Sequence, residues 1–142
     1  MFAKQLSVFI ENRQGRLGEV LNVLGANGVN ILSMSLADTT EYGLLRLIVN
    51  NPELGKEKLT EAGFSSLLSD VLVIQIPHIA GSLQSLLKCI EAAGVNIEYM
   101  YGLSIDGSDA YVVLKASNVS AMEKVLSENG VTTLTNDRIK TL

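Results

Sequence analysis

Two short loops carry the residues whose types and spacing could hold a ligand. They are Asn12-Arg13-Gln14-Gly15-Arg16-Leu17 and His78-Ile79-Ala80-Gly81-Ser82-Leu83. In each, a glycine stands just ahead of residues that read as a helix start, where free backbone N–H groups attract anions. Gly15-Arg16-Leu17 and Gly81-Ser82-Leu83 are therefore candidate carboxylate cradles, since glycine lets a ligand approach the backbone closely. Arg13 and Arg16 would add positive charge to the first. On physics alone a turn required by the fold is the simpler account of the same glycines. Asn30 and Asn96 stand between apolar residues at strand starts, just before Ile31 and Ile97. An amide both donates and accepts hydrogen bonds, which suits a zwitterion; closing a turn against the backbone is the alternative.

Other chemistry is sparse. His78 is the single histidine and Cys89 the single cysteine, which excludes His-cluster and multi-cysteine metal motifs and an internal disulfide. His78 lacks a nucleophile or carboxylate at any diagnostic spacing, so it reads as a loop or ligand-contact residue rather than a catalyst. Cys89 falls beside a helical apolar stripe and reads as a small buried hydrophobe. Tyr99 and Tyr101 share one strand face, in a pocket, a subunit contact or the core. Glu53, Glu57 and Glu61, with Lys56 and Lys58 interleaved, form a solvated helix face. Asp106 and Asp109 read as hairpin-turn residues rather than a cation loop.

These loops must be positioned by something, and the chain supplies it twice. Gly28-Val29-Asn30-Ile31 returns as Gly94-Val95-Asn96-Ile97, an offset of 66. The same offset pairs Leu6 with Leu72, Ile10 with Ile76, Gly15 with Gly81 and Met34 with Met100. Further on, an offset of 67 pairs Leu47 with Leu114 and Gly63 with Gly130, which predicts a one-residue insertion near Asp106-Gly107-Ser108. The domains are expected at 1–69 and 70–142.

Each copy reads alike. Leu6, Val8 and Ile10, and later Leu72, Ile74 and Ile76, alternate as half-buried strands. Leu17, Val20, Leu21 and Leu24, then Leu83, Leu86, Leu87 and Ile90, mark one face of a helix. Gly28 and Gly94 stand where those helices should stop. Strands follow over 29–36 and 95–105, with turns at Asp38-Thr39-Thr40-Glu41 and Asp106-Gly107-Ser108-Asp109. Third strands cover 44–49 and 110–115. Pro52 opens a helix over 52–62 and Asn118 caps another. Last strands are expected over 64–69 and 131–137. This is α+β, a ferredoxin-like βαββαβ plan twice over. Side-by-side pairing in one antiparallel sheet with helices on one face is expected. The other face is left for a second chain, hence a homodimer.

With their surroundings, the loops resemble the ACT domain, whose loop is typically Asn/Asp-Arg-Pro-Gly-x-Leu and whose strand opens Gly-Ile/Val-Asn-Ile. The resemblance covers nearly the whole chain, as a tandem pair with no room for a catalytic domain. It implies a small regulatory module binding an amino acid between the loop of one domain and the second strand of a paired one. Carried over, the site residues are Asn12, Arg13, Gln14, Gly15, Arg16, Leu17, Asn30 and Ile31 in the first copy. In the second they are His78, Ile79, Ala80, Gly81, Ser82, Leu83, Asn96 and Ile97. The chain departs from the pattern at Gln14 and Ala80, where proline is usual, and at Ile79 and His78, where arginine and Asn/Asp are usual. The second loop is less polar, so its site is altered or vacant.

Composition frames the function. Eleven Lys and Arg against fifteen Asp and Glu give a net charge of -4 and a pI near 4.9. That argues against a nucleic-acid binder, as does the absence of paired aromatics in the central strands. The N-terminus lacks the apolar run of a signal peptide. The longest apolar stretch elsewhere, Ala110 to Leu114, is far too short to span a bilayer. A cytoplasmic protein is expected. The leading expectation is a non-catalytic amino-acid sensor needing no cofactor. The alternative is a regulatory subunit that docks on an enzyme of amino-acid metabolism, as the motif resemblance to small subunits of acetolactate synthase implies. A small enzyme such as an acylphosphatase lacks its phosphate loop here.

Overall fold

A computed structural model describes residues 2–38, 42–106 and 109–141. The expected turn residues 39–41 and 107–108 lie outside the described residues. Two compact units emerge, one made mostly of Lys4–Ser69 and the other mostly of Asp70–Ile139.

The first unit runs β1 (Ala3–Glu11), α1 (Arg16–Ala26), β2 (Ile31–Asp38), β3 (Tyr42–Val49) and α2 (Pro52–Glu61) into β4 (Ser65–Pro77). The second continues from β4 through α3 (Ser82–Ala92), β5 (Ile97–Asp106), β6 (Asp109–Ala116), α4 (Val119–Glu128), β7 (Thr132–Leu134) and α5 (Asn136–Ile139). β1 pairs antiparallel with β3, and β3 with β2. β4 pairs antiparallel with both β6 and β7, and β6 with β5. The repeat is visible in the register: Leu6 faces Leu47 and Val8 faces Leu45, as Leu72 faces Leu114 and Ile74 faces Val112.

Period-two alternation puts Leu6, Val8 and Ile10 on one face of β1, where they meet Val20 and Leu24 of α1 and Leu59 of α2 in the first core. Leu72, Ile74 and Ile76 meet Leu86, Ile90, Met122 and Leu126 in the second. Both loop-borne helices end at a glycine with positive φ, Gly28 at 71° and Gly94 at 74°. There the following N–H reaches back to the last turn, Val29 to Leu24 O at 2.9 Å and Val95 to Ile90 O at 3.3 Å. Asn51 Oδ1 accepts from Leu54 N at 3.3 Å, and Asn118 Oδ1 accepts from Ala121 N at 3.0 Å, so both second helices are capped as expected.

Three expectations are corrected. The strands expected over 64–69 and from Leu72 are one strand, β4, because no glycine or proline interrupts 64–76 and Lys115 Nζ holds the Asp70 carbonyl at 3.0 Å. The last strand stops at Leu134. Thr135 then starts a helical turn, its hydroxyl accepting from Arg138 N at 3.3 Å, and Ile139 is buried.

The extra residue of the second copy is not in the turn. The offset is 66 at Gly102, which faces Val112 as Leu36 faces Leu45, and 67 at Ser104, which faces Tyr111 as Ala37 faces Leu44. The register shifts between Gly102 and Ser104, so Leu103 is the inserted residue, in a β-bulge.

On the face turned away from the helices, burial is uneven: Phe9 is exposed. Gln5, Ser7, Ile48, Val71, Val73 and Val113 lie on the same face, and all are buried. Gln5 Nε2 donates to Ser7 Oγ at 3.1 Å.

Candidate functional site

Both loops deliver their glycine to the helix N-cap in the left-handed region, Gly15 at φ 89° and Gly81 at φ 88°. A side chain is disfavoured at that dihedral. A Cβ at either position would meet nothing within 4 Å. The backbone angle, not crowding, therefore calls for glycine. As glycines, neither cap offers a side-chain acceptor to the first-turn N–H groups, which leaves anion or water to satisfy them.

The two arginines of the first loop are engaged. Arg13 Nε donates to Glu11 Oε2 at 2.7 Å, both side chains largely exposed. Arg16 Nη1 donates to Glu19 Oε2 at 2.6 Å, and its guanidinium lies 4.3 Å from the centroid of the buried Phe64 ring. Only 18% of the Arg16 side chain is exposed. The residue thus plugs the space between α1 and the end of α2 rather than facing a ligand. In the second unit the matching positions are Ser82, Ser85 and Val131, and there the space is an open cleft of about 450 Å³. Ile79, Ala80, Gly81 and Ser82 line it, with Cys89 and Asn129. Cys89 is exposed, against the expectation of burial. Its counterpart Val23 packs on the first core, whereas the cleft leaves the thiol without cover.

On the other side of each loop lies a second concavity. In the first unit it is about 110 Å³ and brings together Asn12, Arg13 and Leu17 with Leu36 and Gly43. In the second it is about 430 Å³ and joins His78 to Gly102, Leu103, Ser104, Ala110, Tyr111 and Val112. The loop is therefore split, with His78 on one side and Ile79–Ser82 on the other. Except for His78, sequence reasoning missed the lining of this concavity. The available signal was Gly102, which stands 66 residues after Leu36 and breaks the repeated apolar pattern.

The remaining expected residues are placed as follows. Gln14 is exposed. Leu17 and Ile31 pack on the first core, and Leu83 and Ile97 on the second. Asn30 N donates to Asn50 Oδ1 at 2.8 Å, while the Asn30 amide has no partner among the described residues. Asn96 Nδ2 donates to Ser117 Oγ at 3.2 Å, which supports turn closure in that copy. In each unit the loop precedes an 11-residue helix and the asparagine follows it. At 1.5 Å per residue the two are separated by about 16 Å. A ligand of amino-acid size touches the loop or the asparagine of one unit, not both.

Tyr99 and Tyr101 stack with ring centroids 6.4 Å apart. Among the described residues, no group of three or more His, Cys, Asp or Glu is placed to hold a metal ion, and no helix is long and apolar enough to cross a membrane.

The duplicated strand–helix plan, with a glycine-capped helix after each first strand, matches a family model over residues 1–142, that of the ACT domain pair. The chain belongs to the ACT domain family. A crystal structure of a protein from Bacteroides thetaiotaomicron is 37% identical to this ACT pair, with a TM-score of 0.94 over 100% of this chain and 98% of that one. The regulatory subunits of aspartate kinase from Thermus thermophilus and Thermus flavus share the fold. The first is 16% identical, with a TM-score of 0.62 over 88% of this chain and 91% of that one. The second is 15% identical, with a TM-score of 0.60 over 88% and 90%. No curated protein sequence matches the chain. The ferredoxin-like α+β repeats expected from the sequence are thus those of an ACT pair.

Proposed function

We propose that this ACT pair is a regulatory amino-acid sensor of the cytoplasm, working as a homodimer without catalysis or a cofactor. The observation that carries the reading is the duplicated loop. Each places a left-handed glycine at an uncapped helix start; in the second copy Gly81 and Ser82 line the open cleft of about 450 Å³, and in the first Leu17 borders the small concavity, an arrangement suited to a carboxylate next to a small side chain. The helix length between loop and asparagine supports a ligand held by the loop of one ACT domain and reached by the asparagine of another. Asn30, whose amide has no partner among the described residues, fits that role better than Asn96, which is bonded to Ser117. Binding then shifts the arrangement of domains by as much as the ligand prefers one arrangement over the other.

A second reading is docking to an enzyme of amino-acid metabolism. It is favoured by the Thermus relatives in fold, which are regulatory subunits of aspartate kinase. One experiment separates the two. A thermal-shift screen of the twenty amino acids should give stabilisation by one chemical class. At about 100 times its dissociation constant a ligand stabilises by about 2.7 kcal/mol. A flat response to all twenty would remove the sensor and leave docking.

A further inference from the structure

We propose that the second ACT domain carries the ligand site, that its occupant is an amino acid with an uncharged apolar side chain, and that Gly102 is the residue that admits it. The proposal rests on the amino-acid-sensing reading above and adds which domain binds and which class of ligand.

The two concavities beside the loops are built from matching positions. Asn12, Leu36 and Gly43 line the first, and His78, Gly102 and Ala110 the second. In the first domain this corner is full. A Cβ added at Gly43 would come 3.1 Å from Ile10 Cγ1 and 3.3 Å from Leu36 Cδ1. Ile10 and Leu36 together occupy the space that a side chain at position 43 would need. In the second domain position 102 has no side chain, and Ala110 carries the methyl group that Gly43 has no room for. The pair Leu36 with Gly43 has become Gly102 with Ala110.

Nothing in the fold requires glycine at 102. Its backbone is outside the left-handed region, and a Cβ there would meet nothing within 4 Å. What the glycine provides is volume. The bulge at Leu103, which the first domain lacks at this point, reshapes the same wall, and bulges recur beside binding sites for that reason. The result is about 430 Å³ against about 110 Å³. Small-molecule sites fall between roughly 300 and 1,000 Å³, and of these two concavities the second, an open depression, reaches that size.

The lining selects the ligand class. Among the described residues no Asp, Glu, Lys or Arg lines the second concavity, so a charged side chain would find no counter-charge among them. Leu103, Ala110 and Val112 offer apolar walls. The His78 imidazole and the Ser104 hydroxyl supply hydrogen bonds for the polar end of the ligand.

Isothermal titration of the full chain with L-valine, L-leucine and L-phenylalanine should give one site per chain, with no heat from L-aspartate, L-lysine or L-arginine. Gly102→Ala should weaken binding and Gly102→Leu should weaken it further, by at least about tenfold. The graded series, read alongside an unchanged circular dichroism spectrum, separates filling of the site from misfolding. Binding that both Gly102 variants leave intact would overturn the proposal while the sensor reading stands. So would binding removed by Ser85→Trp and not by Gly102→Leu, which would move the site across the loop to the other cleft. Tight binding of a charged amino acid would overturn the assigned class. No binding of any amino acid would overturn both the proposal and the sensor reading.

Discussion

The two ACT repeats share one backbone plan and differ in what fills the space on either side of the first loop. In the first repeat Arg16 lies over Phe64 and pairs with Glu19 on one side, and Leu36 crowds Gly43 on the other. In the second the same places hold Ser82, Val131 and Ser85, then Gly102 and Ala110, and both spaces are open. Judged by polarity, the first loop is the better ligand cradle, since it has the arginines and the usual asparagine. Judged by geometry, Arg16 is held by Glu19 and Phe64, Arg13 stays exposed in a pair with Glu11, and the cavity is small. Charge in a sequence motif marks a binding site only when the charge is left uncommitted by the fold.

The comparison also states what should be equal. Leu24 and Ile90 occupy matching helix positions and both are fully buried in their own cores. Leu24→Ala and Ile90→Ala should each cost about 2–5 kcal/mol of unfolding free energy in urea titrations, through lost burial and the cavity left behind. A silent Ile90→Ala would break the equivalence, because it would mean that the open clefts of the second repeat already let its core relax.

Equality should extend to the loop glycines at a smaller scale. Gly15→Ala and Gly81→Ala each force a side chain into a left-handed dihedral with open space around the Cβ. Each should lose about 1–2 kcal/mol from strain alone. Near-identical losses in urea titrations would fit a purely dihedral origin. A much larger loss at one glycine would reveal a contact there that the open surroundings do not provide.

Most of the fold was legible because it rests on local periodicity. The stripe Leu17, Val20, Leu21, Leu24 and the alternation of Leu6, Val8 and Ile10 depend only on which face meets the core. What escaped depends on contacts between segments distant in sequence. The Ser69-Asp70 pair looks like a break between strands, yet Lys115 from β6 holds the Asp70 carbonyl and the strand continues. Cys89 has the spacing of a buried residue, yet it lines the open cleft with Val131 and is exposed. The insertion looked like a longer turn, because its true place, the bulge at Leu103, is defined only by pairing with β6. The loops were legible as candidates; how much room they border was not, since that is set by Gly102 and Leu36 on strands that the motif does not include.

The finest test exchanges the plug between repeats. Arg16 gains from the Phe64 ring and, in part, from the half-exposed Glu19, while its buried Nε has no hydrogen-bond partner. Cation–π contacts contribute about 0.5–2 kcal/mol, and exposed ion pairs less than about 1 kcal/mol. Against these stands the uncompensated Nε–H, so Arg16→Ser should lose only about 1 kcal/mol in urea titrations. The reverse change, Ser82→Arg, should leave stability within about 0.5 kcal/mol. The incoming guanidinium would find Val131 in place of the ring and Ser85 in place of the carboxylate, and so would stay in solvent. If Ser82→Arg stabilised the protein as much as Arg16→Ser destabilised it, the arginine would be acting through its aliphatic stem. The difference between the repeats would then be one of filled volume rather than of paired charge.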